Sequence, residues 1–311
     1  MEARLAWHSA RRNWASTARD EVRRLVAVVD EPWSEGEARF EGVCDTSDHT
    51  RQWVSFPSRE GWNGSGWLLV PKSVNGPVPA VICLPGHGAG TDAIVGLVEE
   101  PYQANFALQC VRHGWIALSV EQVSFGRNQS EQEGGERSSC FVDSLFSLEL
   151  GETMTGWRVR DAMAAARFLR GLPDVDPSKI ATLGISGGGL TALFTAALDE
   201  SICGAGVSGY FTPMAHSILR FRHCADNYIP GLARTLDVPD LAGLVAPRWL
   251  AVENGTDDHI FAIEGFRLAC ERAREIYAGT ASLDRFSSTE FEGGHFFEGS
   301  AIFAHFALAF R

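Results

Sequence analysis

The stretch Ala181-Thr182-Leu183-Gly184-Ile185-Ser186-Gly187-Gly188-Gly189-Leu190 holds a G-x-S-x-G pentapeptide centred on Ser186. An apolar, strand-like run over residues 179–183 leads into it, and an Ala- and Leu-rich, helix-like run over 190–198 follows. A serine on a sharp strand-to-helix turn is held clear of the strand end with its hydroxyl exposed. Flanking glycines permit the strained backbone of such a turn, where a Cβ would collide with neighbouring strands. The pentapeptide alone recurs by chance, so its setting and its partners elsewhere must carry the assignment.

Before the pentapeptide, strands are expected over residues 51–56, 65–70, 79–84 and 115–120. The first two are joined by the turn residues Asn63-Gly64-Ser65-Gly66. A helix is expected near 102–112. A stronger one covers 152–170, where Trp157, Ala164 and Phe168 share a face and Gly171 and Pro173 end it. Residues 126–139 are the most polar stretch and read as a surface loop. After the pentapeptide come a strand (202–207), a long irregular segment (208–243), a strand (248–253), a helix (260–278), a strand (284–291) and a last helix (297–310). Strands lacking polar alternation, interleaved with helices, predict an α/β fold: a mostly parallel central sheet with helices on both faces. Active sites of such sheets lie at the carboxyl ends of the strands. The expected organisation is an N-terminal helical extension over residues 1–50, packed on the domain or on a partner subunit, and a catalytic domain over 51–311. Residues 208–243 form a small cap-like insertion in it.

The chain has 311 residues, of which 45% are apolar, enough for one large core. No apolar run reaches the roughly 18 residues of a membrane span, and the N-terminus lacks the apolar segment of a signal peptide. The net charge of −12 argues against nucleic acid and anionic membrane surfaces as partners. Seven scattered cysteines without a C-x-x-C pair read as reduced residues of a cytoplasmic protein, with no metal site and no cofactor expected. A homo-oligomer is left open.

A serine hydroxyl is a poor nucleophile near neutral pH; it needs a base, and the base needs an orienting acid. After the strand at 248–253 comes Asn254-Gly255-Thr256-Asp257-Asp258-His259, a turn with two adjacent carboxylates. After the strand at 284–291 comes Glu292-Gly293-Gly294-His295-Phe296. Nucleophile, acid and base at three strand ends in this order point to Ser186, Asp258 and His295. Asp257 competes with Asp258, the other serving the turn or capping the next helix; His259 sits beside the acid rather than on the last loop. An oxyanion hole requires two backbone N–H groups. Gly187 supplies one; the glycine-rich loop Pro85-Gly86-His87-Gly88-Ala89-Gly90 supplies the other through His87, with Gly88 as the neighbouring choice. Tyr210, Phe211 and Tyr228 are expected to shape the substrate pocket, the alternative being that they fill the core of the cap.

Together the runs L-P-G-H-G, G-I-S-G-G, G-T-D-D and G-G-H make residues 79–311 resemble the α/β-hydrolase superfamily, and within it the dienelactone-hydrolase and acetyl-xylan-esterase-like branch. The resemblance implies the α/β-hydrolase fold and gives these positions the same nucleophile, acid, base and oxyanion roles. Dienelactone hydrolases proper carry a cysteine nucleophile where this chain has Ser186, and the R-G-Q motif of cephalosporin-deacetylase-like esterases is absent. The expected activity is metal-independent cleavage of a small-molecule carboxylic ester, acetyl or short acyl, through an acyl-enzyme. A prolyl-oligopeptidase-type peptidase or amidase would use the same triad, usually with a gating domain or an acidic pair for a peptide N-terminus. A catalytically silent binding protein of this fold would not need the triad.

Overall fold

The computed structural model describes residue 7 and residues 13–28, 34–130 and 139–311. Among these, nine strands form one sheet: β1 (Arg39–Asp45), β2 (His49–Arg59), β3 (Trp62–Pro71), β4 (Val78–Leu84), β5 (Ile116–Val120), β6 (Val175–Ile185), β7 (Gly204–Ser208), β8 (Trp249–Gly255) and β9 (Phe286–Phe291). Their order is β1-β2-β3-β5-β4-β6-β7-β8-β9. The pairs β1–β2, β2–β3 and β3–β5 are antiparallel, and every pair from β5 to β9 is parallel.

The helices are α1 (Trp14–Val26), α2 (Thr91–Ile94), α3 (Phe106–Arg112), α4 (Ser139–Glu149), α5 (Met154–Arg170), α6 (Gly187–Leu198), α7 (Leu232–Thr235), α8 (Ala242–Val245), α9 (Ile263–Gly279) and α10 (Ser300–Ala309). They bury the sheet from both sides. Alternate residues of β4 divide between two cores: Ala80, Ile82 and Leu84 face one that includes α1, α5, α6 and α9, whereas Val81 and Cys83 face one that includes α3 and α10. This two-sided burial is why the central strands read as unbroken apolar runs. The chain thus has the mostly parallel sheet and two helical layers of the α/β-hydrolase architecture.

Helix α1 packs on the domain itself. It buries Trp14, Ala18, Val22 and Val26. Arg19 donates to the carbonyls of Ala197 and Leu244, and Arg23 to that of Leu198. Those carbonyls close α6 and α8, whose last turns have no intrahelical donors, so the guanidinium groups fill the vacancy with the favoured charge.

The helical extension expected over residues 1–50 ends well before its boundary, because Arg39–Asp45 forms β1 and residue 50 lies inside β2. Every residue of the edge strand β1 is exposed, so no burial periodicity marks it. Helix α4 begins where a loop was expected to end; residues 131–138 of that loop lie outside the described residues. Its buried positions are Cys140, Ser144 and Ser147, while Leu145, Phe146 and Leu150 at its end are exposed, the inverse of the usual amphipathic pattern.

Candidate active site

Four loops at the carboxyl edge of neighbouring parallel strands converge, following β4, β6, β8 and β9. Ser186 sits between β6 and α6 with φ 55° and ψ −123°, a positive-φ conformation outside the regions ordinarily open to a residue with a side chain. The backbone passes itself closely here. A Cβ on Gly184 would stand 2.3 Å from the Gly188 carbonyl oxygen, and one on Gly188 would stand 1.9 Å from that of Leu84. Gly187 is the first residue of α6, so its N–H has no intrahelical acceptor.

His295 Nδ1 lies 2.7 Å from Asp258 Oδ2. A carboxylate only accepts, so Nδ1 carries the proton and Nε2 is left as the basic nitrogen. The other Asp258 oxygen accepts the N–H groups of Ile260 and Phe261 at 2.8 and 2.9 Å, which fixes the carboxylate. Asp257 is exposed, and its N–H closes the turn on the Gly293 carbonyl at 2.7 Å; His259 is exposed as well. The imidazole of His295 lies between two rings: Tyr102 with centroids 6.0 Å apart and Phe261 at 5.7 Å, both close to parallel.

In the loop after β4, the Gly86 N–H is committed to Gln103 Oε1 at 2.8 Å and the Ala89 N–H to Glu100 Oε2 at 3.3 Å. Tyr102 donates its hydroxyl to the His87 carbonyl. The His87 side chain turns toward Asp226, with Nε2 3.0 Å from Oδ2. Burial opposes protonation of this imidazole, but the Asp226 carboxylate outweighs it and lifts the pKa to about 9.

Ser186, Gly187, His87 and His295 line one cavity of about 350 Å³ together with Tyr102 and Phe261. The far wall comes from the segment after β7, through Arg222, His223, Cys224 and Asn227. The three aromatic residues expected to shape this pocket do not line it. Tyr210 and Phe211 are buried in the core, the Tyr210 ring meeting that of Phe261 at a tilt with centroids 5.2 Å apart. Tyr228 faces outward, its hydroxyl on the Ile218 carbonyl. The turn at Gly209 (φ 55°) directs the chain after β7 inward, which places residues 210 and 211 in the core.

Several supporting residues are absent from the sequence-level assignment. Glu253 lies fully buried within β8 and accepts the N–H groups of Glu298 and Gly299 at 3.0 and 2.9 Å, tying the loop after His295 to the sheet. Glu121 follows β5 and accepts from the backbone and hydroxyl of Thr91. Burial pushes each of these carboxyls up to about 7. Each ends an apolar run in the sequence, which was a usable signal. The meeting of His87, Cys140, Cys224 and Asp226 had none, because the four come from distant segments.

A serine turn on a central parallel strand, with its acid and histidine on the strands toward one edge, is the arrangement of the α/β-hydrolase fold. A Bacteroides fragilis NCTC 9343 structure named as an acetyl xylan esterase has a TM-score of 0.79 at 19% identity, covering 93% of this chain and 79% of its own. A glucuronoyl esterase from Solibacter usitatus has a TM-score of 0.66 at 15% identity, with 99% and 96% coverage. An acetyl xylan esterase from Paenibacillus sp. R4 has a TM-score of 0.65 at 17% identity, with 98% and 96% coverage. At these identities the likeness is one of fold.

Residues 8–276 match the Abhydrolase family, and the chain belongs to it. The Bacillus subtilis (strain 168) protein YtaP, named as a hydrolase, is 27% identical over 255 residues, which is 78% of this chain and 81% of that protein.

Proposed function

We propose that the protein hydrolyses a carboxylic ester through an acyl-enzyme on Ser186. The observation that carries this reading is the Asp258–His295 hydrogen bond of 2.7 Å on a histidine that shares its cavity with the strained Ser186 turn. His295 Nε2 takes the serine proton as Oγ attacks the ester carbonyl, then delivers it to the departing alkoxide. Water repeats the sequence in reverse roles and releases the acid. Asp258 holds the tautomer and steadies the imidazolium. The Gly187 and His87 N–H groups receive the developing oxyanion, with Gly88 as the neighbouring choice, since the Gly86 and Ala89 amides of the β4 loop are already engaged. The esterase names of the structural neighbours support an ester over an amide.

The test is labelling by a fluorophosphonate probe together with hydrolysis of p-nitrophenyl acetate. Ser186→Ala is expected to abolish labelling and to lower kcat by roughly 10⁴ to 10⁶ while the circular dichroism spectrum stays unchanged. Turnover near the wild-type value in that variant would remove Ser186 as nucleophile, and absence of labelling in the wild-type protein would favour a silent binding protein.

A further inference from the structure

At the cavity wall, four side chains from three separate segments meet, two of them, His87 and Cys224, lining the cavity. His87 comes from the loop after β4, Cys140 from the first turn of α4, and Cys224 and Asp226 from the segment after β7. Their ligand atoms all lie within 4.8 Å of one another. His87 Nε2 is 3.0 Å from Asp226 Oδ2 and 3.5 Å from Cys140 Sγ, and Cys140 Sγ is 3.3 Å from Cys224 Sγ. Zinc bound to nitrogen, sulfur and oxygen at its ordinary bond lengths separates tetrahedral ligands by about 3.3 to 3.8 Å, so small adjustments bring the four atoms onto such a tetrahedron.

We propose that His87, Cys140, Cys224 and Asp226 form a binding site for a zinc-class divalent cation. One imidazole, two sulfurs and one carboxylate suit a borderline-soft ion with tetrahedral preference. All four positions are filled by protein, which marks a structural site and leaves the ester chemistry to the triad. The groups around the ligands are arranged to orient them. Arg158, buried, reaches Asp226 Oδ2 at 2.5 Å and Cys140 Sγ at 3.2 Å. Asn227 holds the other Asp226 oxygen at 2.6 Å. Binding displaces three protons, one from each thiol and one from the His87 imidazolium, which leaves His87 neutral. Two thiolates and one carboxylate then balance one guanidinium and one divalent ion, so the buried cluster is formally neutral.

The cation joins three elements: the oxyanion loop, α4 and the cavity wall. His87 belongs to both the cluster and the cavity lining, so the ion would fix the imidazole edge that borders Gly187. Cys224 belongs to both the cluster and the cavity lining, so the ion sits one residue behind the substrate.

The test uses the full chain, purified anaerobically with a phosphine reductant, stripped with a strong chelator, and then titrated with zinc or with cobalt(II). Wild-type protein and the Ser186→Ala variant are expected to bind about one ion per chain by mass-spectrometric metal analysis. The cobalt form should show the near-ultraviolet band of thiolate-to-cobalt charge transfer, and added zinc should raise the Tm. Cys224→Ser should weaken binding by at least about tenfold and abolish the Tm response. Cys44→Ser, which removes an exposed thiol, should leave both unchanged. Retention in Ser186→Ala separates this site from the catalytic reading. Reduced wild-type protein that takes up no ion would overturn the proposal, as would unchanged affinity and charge-transfer band in Cys224→Ser.

Discussion

Gly209, just after β7, limits how close the chain comes to the hydrogen-bonded His295–Asp258 pair of the proposed triad. A Cβ there would lie 2.9 Å from His295 Cε1 and 3.1 Å from Nδ1, and the residue has φ +55°. Gly209→Ala therefore combines the cost of a left-handed alanine, about 1 to 2 kcal/mol, with displacement of the imidazole. The expected result is a loss of kcat of at least roughly tenfold with near-native circular dichroism, since small misplacements of a catalytic group are expensive. Wild-type kcat in this variant would show that the imidazole tolerates the contact. At this scale the sequence was most readable where chemistry demands a residue type at a strand end. Ser186, Asp258 and His295 stand there in the chain order that this fold's strand topology gives the proposed triad. Between Asp257 and Asp258 it was ambiguous, because adjacent carboxylates on a turn differ only in which one the backbone turns inward. Tyr102 and Asp226 were invisible because their partners, His87 and Arg158, lie far away in sequence.

Strand β8 and the segment leading into α10 are joined by a group that the sequence places at the end of an apolar run. Glu253 accepts two backbone N–H groups there, and burial raises its carboxyl from the usual 4.5 to about 7. In the unfolded chain this group ionises near its usual value, so between about pH 4.5 and 7 the folded state binds more protons. Stability therefore falls as pH rises through that window and levels off above it, by on the order of 3 kcal/mol from this group. Glu121 contributes a slope of the same sign. Glu253→Gln should flatten the dependence. Its amide nitrogen cannot accept one of the two N–H groups, so the variant should be less stable than wild type at pH 5 and closer to it at pH 8. Urea unfolding at the two pH values measures this, and an unchanged difference between them would assign the slope to other groups. Elements as a whole were legible where burial and periodicity agree, as in α5 and β6. They were not legible in β1, where exposure is uniform, nor in α4, where small polar residues face the protein and large apolar ones face solvent.

The whole molecule presents its site as a cavity of about 350 Å³ between the triad loops and the segment after β7, toward the small end of ligand sites. The parallel centre of its sheet was legible in runs that read as buried on both faces, whereas the order of the strands was not. What the sequence left undetermined was which side chains of the long segment face the cavity. Ile260 and Phe261 give it an apolar side, while His87, Arg222, His223 and Asn227 interrupt the surface with polar groups. A methylene gains about 0.8 kcal/mol when buried against apolar atoms, about fourfold in kcat/KM if the gain is kept in the transition state. That gain requires a continuous apolar wall, which these polar groups interrupt. For p-nitrophenyl esters kept below their micellar concentration, kcat/KM is expected to peak between acetyl and butyryl and to fall by octanoyl. An optimum at dodecanoyl or longer would mean that the acyl chain leaves the cavity along a different, apolar surface, and the short-acyl specificity would be wrong.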